Sequence, residues 1–323
     1  MDIREKIGSL FVVGFDGTTV PDSLAELIRD HHIGGVILFK RNIESKNQLV
    51  KLIGNIKALA KGREFIVSVD HEGGRVFRLP PPFTQWPPMA KVACAEEAYG
   101  IGQKMANELK EVGFNVNFAP VLDINTNIKN PVIGDRSFSH EPDVVASLGT
   151  ALMRGLQDNG MIACGKHFPG HGDTSLDSHT DFPTLPHTLK RLEAIELVPF
   201  MVAIEAGVKS LMTAHVLYEG IDKDLPATLS PALIRDLLRF RMGFHGVIFT
   251  DDLQMAAISR RWGVSEACVM SLAAGCDICL ICRDTAVEKS AIEHVIEAVK
   301  TGKLPESLIE AAFHRVSSLF GKY

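Results

Sequence analysis

Short runs rich in Val, Ile, Leu and Phe recur along the chain, each followed by a longer stretch in which apolar residues return every three or four positions. The runs are LFVVGF (10–15), GVILFK (35–40), FIVSVD (65–70), FNVNFAP (114–120), MIACGKHF (161–168), SLMTAHV (210–216), GVIFTD (246–251) and CDICLIC (276–282). Near-continuous apolar character over so few residues predicts strands buried on both faces. The stretches SLAELIRDHH, KNQLVKLIGNIKALA, AEEAYGIGQKMANELKEVG, DVVASLGTALMRGLQDNG, TLKRLEAIELVPFMVAIEAG and SPALIRDLLRFRMG read as helices, as do the residues around 284–301 and 305–320. Glycine marks the helix-to-strand junctions HHIGGV, EVGFNV, DNGMIA, EAGVKS and RMGFHG, where a left-handed cap is easiest without a Cβ.

Eight apolar strands alternating with helices predict a parallel sheet covered on both faces, and their number predicts closure into a single-domain (β/α)8 TIM barrel over residues 1–323. A doubly wound open sheet is the alternative, but no G-x-G-x-x-G opens any helix. In a barrel the C-terminal strand ends face the functional site. Here those ends carry Asp70, Asp123, Lys166 with His167, His215, and Asp251 with Asp252.

Composition narrows the function classes. Of 323 residues 46% are hydrophobic, enough for a sizeable core, and the net charge of −5 comes with no basic stripe or tail. Nucleic acid is therefore not expected as a partner. The N-terminus MDIREKIGSLFVVGF lacks the long apolar core of a signal peptide, and no apolar run approaches the length of a membrane span. A cytoplasmic protein without a membrane partner is expected. Cysteines stand at 94, 164, 268, 276, 279 and 282, most of them in apolar runs, and read as reduced, buried thiols. The last three have the C-x2-C-x2-C spacing of an iron–sulfur ligand set. On a strand, however, Cys279 faces away from Cys276 and Cys282, and no fourth cysteine follows.

The densest chemistry lies in KHFPGHGDTSLDSHTDF (166–182), which falls after the fifth strand. His167, His171, Asp173, Asp177 and His179 could ligate a metal. The chain has no H-E-x-x-H, and a glycine-rich loop makes a poor rigid cage, so neither a metal nor a cofactor is expected. A Schiff-base role for Lys166, desolvated at the end of a strand, is a second option. The third is a carboxylate nucleophile with a separate acid/base. IFTDDLQM puts Asp251 at a strand end, where it can attack a sugar carbon, while Asp252 caps the next helix. Asp177 and His179, two apart, can act as a pair in which the carboxylate orients and stabilises the protonated imidazole. Gly170 and Gly172 are expected to free this segment to close over a substrate.

Five blocks carry a resemblance: VDHEGGRVFRL (69–79), GDRSFS (134–139), KHFPGHGDTSLDSH (166–179), LMTAHVLY (211–218) and GVIFTDDLQM (246–255). With them the chain resembles family 3 glycoside hydrolases, specifically the bacterial β-N-acetylglucosaminidases that recycle cell-wall muropeptides. The resemblance implies retaining hydrolysis that releases N-acetylglucosamine from GlcNAc-1,6-anhydroMurNAc muropeptides through a covalent glycosyl-aspartate. It makes Asp251 the nucleophile, His179 the general acid/base and Asp177 its orienting partner. It makes Asp70, Arg78, Arg136, Lys166 and His167 the residues that bind N-acetylglucosamine, although either arginine could instead hold a loop by a salt bridge. His71 stands where glutamine is common in the motif, with little expected effect. Phosphorolysis, a wider range of β-glycosides and a non-catalytic muropeptide sensor remain as alternatives, and the oligomeric state stays open.

Overall fold

A computed structural model describes residues 1–175 and 183–321. Eight parallel strands form a closed barrel in the order β1 (Phe11–Val13), β2 (Gly35–Leu38), β3 (Ile66–Val69), β4 (Val116–Asn117), β5 (Ile162–Phe168), β7 (Ser210–Thr213), β9 (Val247–Asp252) and β10 (Ile278–Ile281). Each falls within or against one of the eight predicted runs. The seam is closed by β1 and β10, with Phe11 beside Cys279 and Val13 beside Ile281. Inside the barrel, Phe118 just past β4 meets Phe249 of β9 edge-to-face at 5.2 Å, so aromatic rings fill the interior across non-adjacent strands.

The amphipathic stretches form helices where expected: α2 (Asp22–Asp30), α3 (Lys46–Leu59), α4 (Ala95–Val112), α5 (Pro142–Asp158), α10 (Thr285–Lys300) and α11 (Glu306–Ser318). In α3, Leu49, Leu52, Ile53 and Ile56 are buried on one stripe, and Ser45 caps the N-terminus by accepting from Gln48 N–H. The stretch 188–207 breaks into α6 (Leu189–Ala194) and α7 (Val198–Glu205), with Pro199 in the first turn of α7, where its missing N–H costs nothing. The helix Ala232–Arg241 winds with the wider i→i+5 turn.

Three features were not predicted. A capping box between Asp2 and Glu5 starts α1 (Ile3–Ser9). Between β9 and β10 lie α8 (Ala256–Ser259) and α9 (Val264–Ala274); the latter, VSEACVMSLAA, is apolar almost all round and offers no stripe to read. A separate two-stranded parallel sheet joins β6 (Thr184–Thr188) to β8 (Leu217–Gly220) beside the barrel mouth.

Backbone-close packing joins α4 to α5. A Cβ added at Gly102 would lie 2.4 Å from the Leu152 carbonyl oxygen, and one at Gly155 would lie 2.2 Å from that of Tyr99. At the end opposite the mouth, the buried Asp277 accepts from Arg239, Arg315 and the Ile248 N–H. Among the described residues, no helix is long and apolar enough to cross a membrane.

Candidate active site

The strand ends bring charges of both signs together. Just past β3, Asp70 Oδ1 accepts from Lys166 Nζ at 2.7 Å, and Oδ2 lies 3.9 Å from Arg78. Two residues on, the buried Glu72 takes a bidentate pair from Arg136, both contacts 2.8 Å, and pairs with Lys166 at 2.6 Å. The result is an alternating chain, Arg78–Asp70–Lys166–Glu72–Arg136. Burial opposes ionisation of Glu72, but Arg136 and Lys166 outweigh it and hold its carboxyl far below the usual range. Burial likewise opposes the Lys166 charge, and Asp70 and Glu72 overcome that and raise its pKa. A lysine held as an ammonium between two carboxylates is no amine nucleophile, so the Schiff-base option for Lys166 fails on its own geometry.

His71 stands between Asp70 and Glu72, close enough to Arg78 to feel its charge. It is buried against Phe77, ring centroids 4.3 Å apart, and burial, reinforced by Arg78, pushes its pKa down to about 3. The imidazole is neutral at pH 7 and adds no charge where the family motif commonly has glutamine.

His167 in β5 and His171 just past it both bond to Asp123. This fully buried carboxylate receives His167 Nδ1 at 2.6 Å and the His171 backbone N–H at 2.7 Å. With Nδ1 committed to a carboxylate, Nε2 is the His167 nitrogen on the cavity side. Burial, together with the neighbouring His167, pushes His171 down to about 4, so its ring is neutral.

Asp251, the penultimate residue of β9, lies at the floor of the mouth. Its Oδ1 accepts from the Asp252 N–H at 2.7 Å. Burial works against its charge, and His215, His167, that N–H and Lys166 together hold its pKa below the ordinary value. Asp252 also lines the cavity, but its Oδ1 accepts from Gln254 N–H at 3.0 Å and Cys282 N–H at 3.2 Å, capping the turn after β9 and tying it to β10. Burial, with Asp251 beside it, pushes Asp252 up to about 6. The two adjacent aspartates are thus separated chemically: one is kept anionic and faces the mouth, the other holds the backbone.

These groups line one cavity of about 420 Å3, within the range of small-molecule sites. Asp70, Arg78, Arg136, Lys166, His167 and Asp251 all face it. Arg136 does so while also making the salt bridge that was its alternative role. Asp177 and His179 lie outside the described residues. In the part of their segment that is described, the backbone at Gly170 and Gly172 bonds to side chains from elsewhere in the fold. Asn130 Nδ2 donates to the His171 and Gly172 carbonyls at 2.8 and 3.0 Å, and the Tyr218 hydroxyl donates to the Gly170 carbonyl. A Cβ at Gly172 would sit 1.6 Å from the Ile124 carbonyl oxygen. The glycine is there so that the loops after β4 and β5 can touch. The three cysteines of CDICLIC are buried, and the thiol of Cys276 donates to the Thr228 carbonyl.

Glu72 and His171 were not singled out as cavity residues from sequence. Glu72 had a readable signal, since it stands two residues beyond Asp70 and extended backbone returns a side chain to the same face at that spacing. The hold of Asp123 on His167 had none, because the two are 44 positions apart.

The profile of the glycosyl hydrolase family 3 N-terminal domain matches residues 2–319. A beta-hexosaminidase of Thiobacillus denitrificans is 42% identical over 275 residues, 82% of this chain and 76% of that protein. One from Nitrosomonas eutropha is 39% identical over 315 residues, 94% of this chain and 90% of its own length. A family 3 beta-N-acetylglucosaminidase structure from Paenibacillus superposes with a TM-score of 0.97 at 41% identity, over 99% of this chain; this chain spans only 62% of that one. A beta-N-acetylhexosaminidase structure from Beutenbergia cavernae gives 0.94 at 27% identity, over 99% of both chains. With a cavity ringed by carboxylates and cations at the C-terminal ends of a (β/α)8 barrel, and a profile match along nearly its whole length, the chain belongs to glycosyl hydrolase family 3.

Proposed function

We propose that the protein is a retaining β-N-acetylhexosaminidase that releases N-acetylglucosamine from GlcNAc-1,6-anhydroMurNAc muropeptides, the fragments of cell-wall turnover. The observation that carries the reading is Asp251, an ionised carboxylate at a strand end on the floor of a cavity whose remaining charges pair with one another. Asp251 attacks the anomeric carbon, and the aglycone oxygen leaves as His179 protonates it. His179 then takes a proton from water, which attacks the same carbon and frees Asp251. Asp177 orients His179 and stabilises the imidazolium between the two steps. Asp70 accepts from sugar hydroxyls, while Arg78, Arg136, Lys166 and the Nε2 side of His167 hold the N-acetylglucosamine unit. The similar proteins named beta-hexosaminidase support the sugar class. Five buried free cysteines support a reducing, cytoplasmic setting. No cofactor enters this cycle, and the 1–323 span acts as one barrel domain.

Turnover of an aryl β-N-acetylglucosaminide is the test. The expected first product is the β-anomer by NMR, with Asp251→Ala inactive. His179→Ala is expected to retain glycosylation only where the phenol leaving group is acidic enough to depart unprotonated. An α-anomer, or equal loss on good and poor leaving groups, sinks the assignment; a sugar 1-phosphate formed in phosphate buffer would make the enzyme a phosphorylase.

A further inference from the structure

We propose that His215 is held as an imidazolium and that its fixed charge keeps the nucleophile ionised; the second half rests on Asp251 being that nucleophile. His215 is buried just past β7, on the strand that neighbours β9 in the barrel. Its Nε2 lies 3.0 Å from the carbonyl oxygen of Asp252. That oxygen has only lone pairs, so Nε2 carries a hydrogen. Its Nδ1 lies 2.8 Å from Thr228 Oγ1.

The hydrogens on Thr228 decide the state of Nδ1. A hydroxyl has one hydrogen and two lone pairs. Besides Nδ1, Thr228 Oγ1 meets the Ala214 carbonyl at 3.0 Å and Thr213 Oγ1 at 2.8 Å. The carbonyl can only accept. If Thr228 donates to it, its two lone pairs are filled by the Thr213 hydroxyl and by a hydrogen on Nδ1. Among the described residues each of these groups is then satisfied, and the ring carries a proton on each nitrogen. A neutral ring would draw the Thr228 hydrogen onto Nδ1 and strip the buried Ala214 carbonyl of that donor.

The resulting charge stands where it is needed. Among the described residues, the titratable groups that share these surroundings are Asp251 and Asp252 of β9, Lys166 and His167 of β5, which act on Asp251 together with His215, Cys276, whose thiol donates to the Thr228 carbonyl, and Cys282, on which both aspartates act. Burial keeps both thiols protonated and neutral. Lys166 is shared between Asp70 and Glu72, and His167 is bound to Asp123. Of the side chains that favour the Asp251 anion, His215 acts most strongly. Its Nε2 bond to the carbonyl of the next residue fixes the ring against the backbone that carries the nucleophile. His215 is therefore a positioning residue for Asp251.

Neutron diffraction from a deuterated crystal of the unaltered chain at pH 8 reads this directly. Deuterons on both His215 nitrogens are expected, and a single deuteron overturns the proposal whether or not the enzyme cleaves a muropeptide. The second arm is kinetic. In His215→Asn, shown folded by circular dichroism, the acid limb of kcat/KM is expected to move up by about one pH unit, as removal of a nearby opposite charge requires. A folded variant whose acid limb does not move refutes the electrostatic role.

Discussion

Glu288 shows what a single buried carboxyl costs. It lies in the first turns of α10, fully buried, and its two carboxyl oxygens meet no hydrogen-bond partner among the described residues. Burial, then Asp284 and Asp252, pushes its pKa up to about 9. The folded state thus keeps a proton that the unfolded chain releases near the ordinary value of 4.5. Stability contributed by the protonated form is complete below about pH 4.5 and is lost as pH rises toward 9, a cost of about 3 kcal/mol by pH 7. Glu288→Gln has the same shape and cannot ionise. Its melting temperature is expected to exceed that of the parent at pH 8 and to match it at pH 4; thermal unfolding at the two pH values checks this. Glu72 is the opposite case, held ionised by Arg136 and Lys166. Nothing in DTAVEKS or DHEGGR distinguishes the two glutamates, because what separates them is which distant side chains fold against each.

At the level of elements, periodicity was a good guide wherever one face of the element is buried. It found the amphipathic helices and the strands buried on both faces, and it missed α9, which has no polar side, and the short β6 and β8, which lie outside the barrel. Helix crossings were also hidden, since they depend on which glycines meet a neighbour. Gly155 of α5 sits against the Tyr99 carbonyl of α4, whereas Gly100 of α4 has open space beyond it. Gly155→Ala is expected to destabilise by about 2 kcal/mol through overpacking. Gly100→Ala is expected to stabilise by about 0.5–1 kcal/mol, because alanine loses less chain entropy in a helix. Urea unfolding of the two single variants decides between packing and propensity as the controlling effect.

The whole molecule divides its charges by end. The mouth holds the alternating chain from Arg78 to Arg136 with Asp251 beyond it, and the opposite end holds Asp277 clamped by two arginines. The first arrangement lines the cavity, and the second ties strand residues to helix residues. The barrel, and the fact that Asp70, Lys166 and Asp251 converge at its mouth, were readable because eight alternating units leave little other topology. The partners within that mouth were not, because pairing depends on side-chain reach rather than on register. The β1–β10 seam has a further consequence, for synthesis. The ribosome releases Phe11–Val13 first, yet one edge of that strand has no neighbour until Cys279–Ile281 emerges. For most of translation the nascent chain carries an open sheet edge that can pair with another chain. A chain ended at Gly263, lacking α9, β10 and the helices beyond, exposes that edge permanently together with one side of β9. It is expected to be found in the insoluble fraction on expression, and a soluble, cooperatively melting fragment would show that the barrel does not need its seam. During synthesis the unpaired edge is a window for chaperone capture, and it closes only when the last strand clears the exit tunnel.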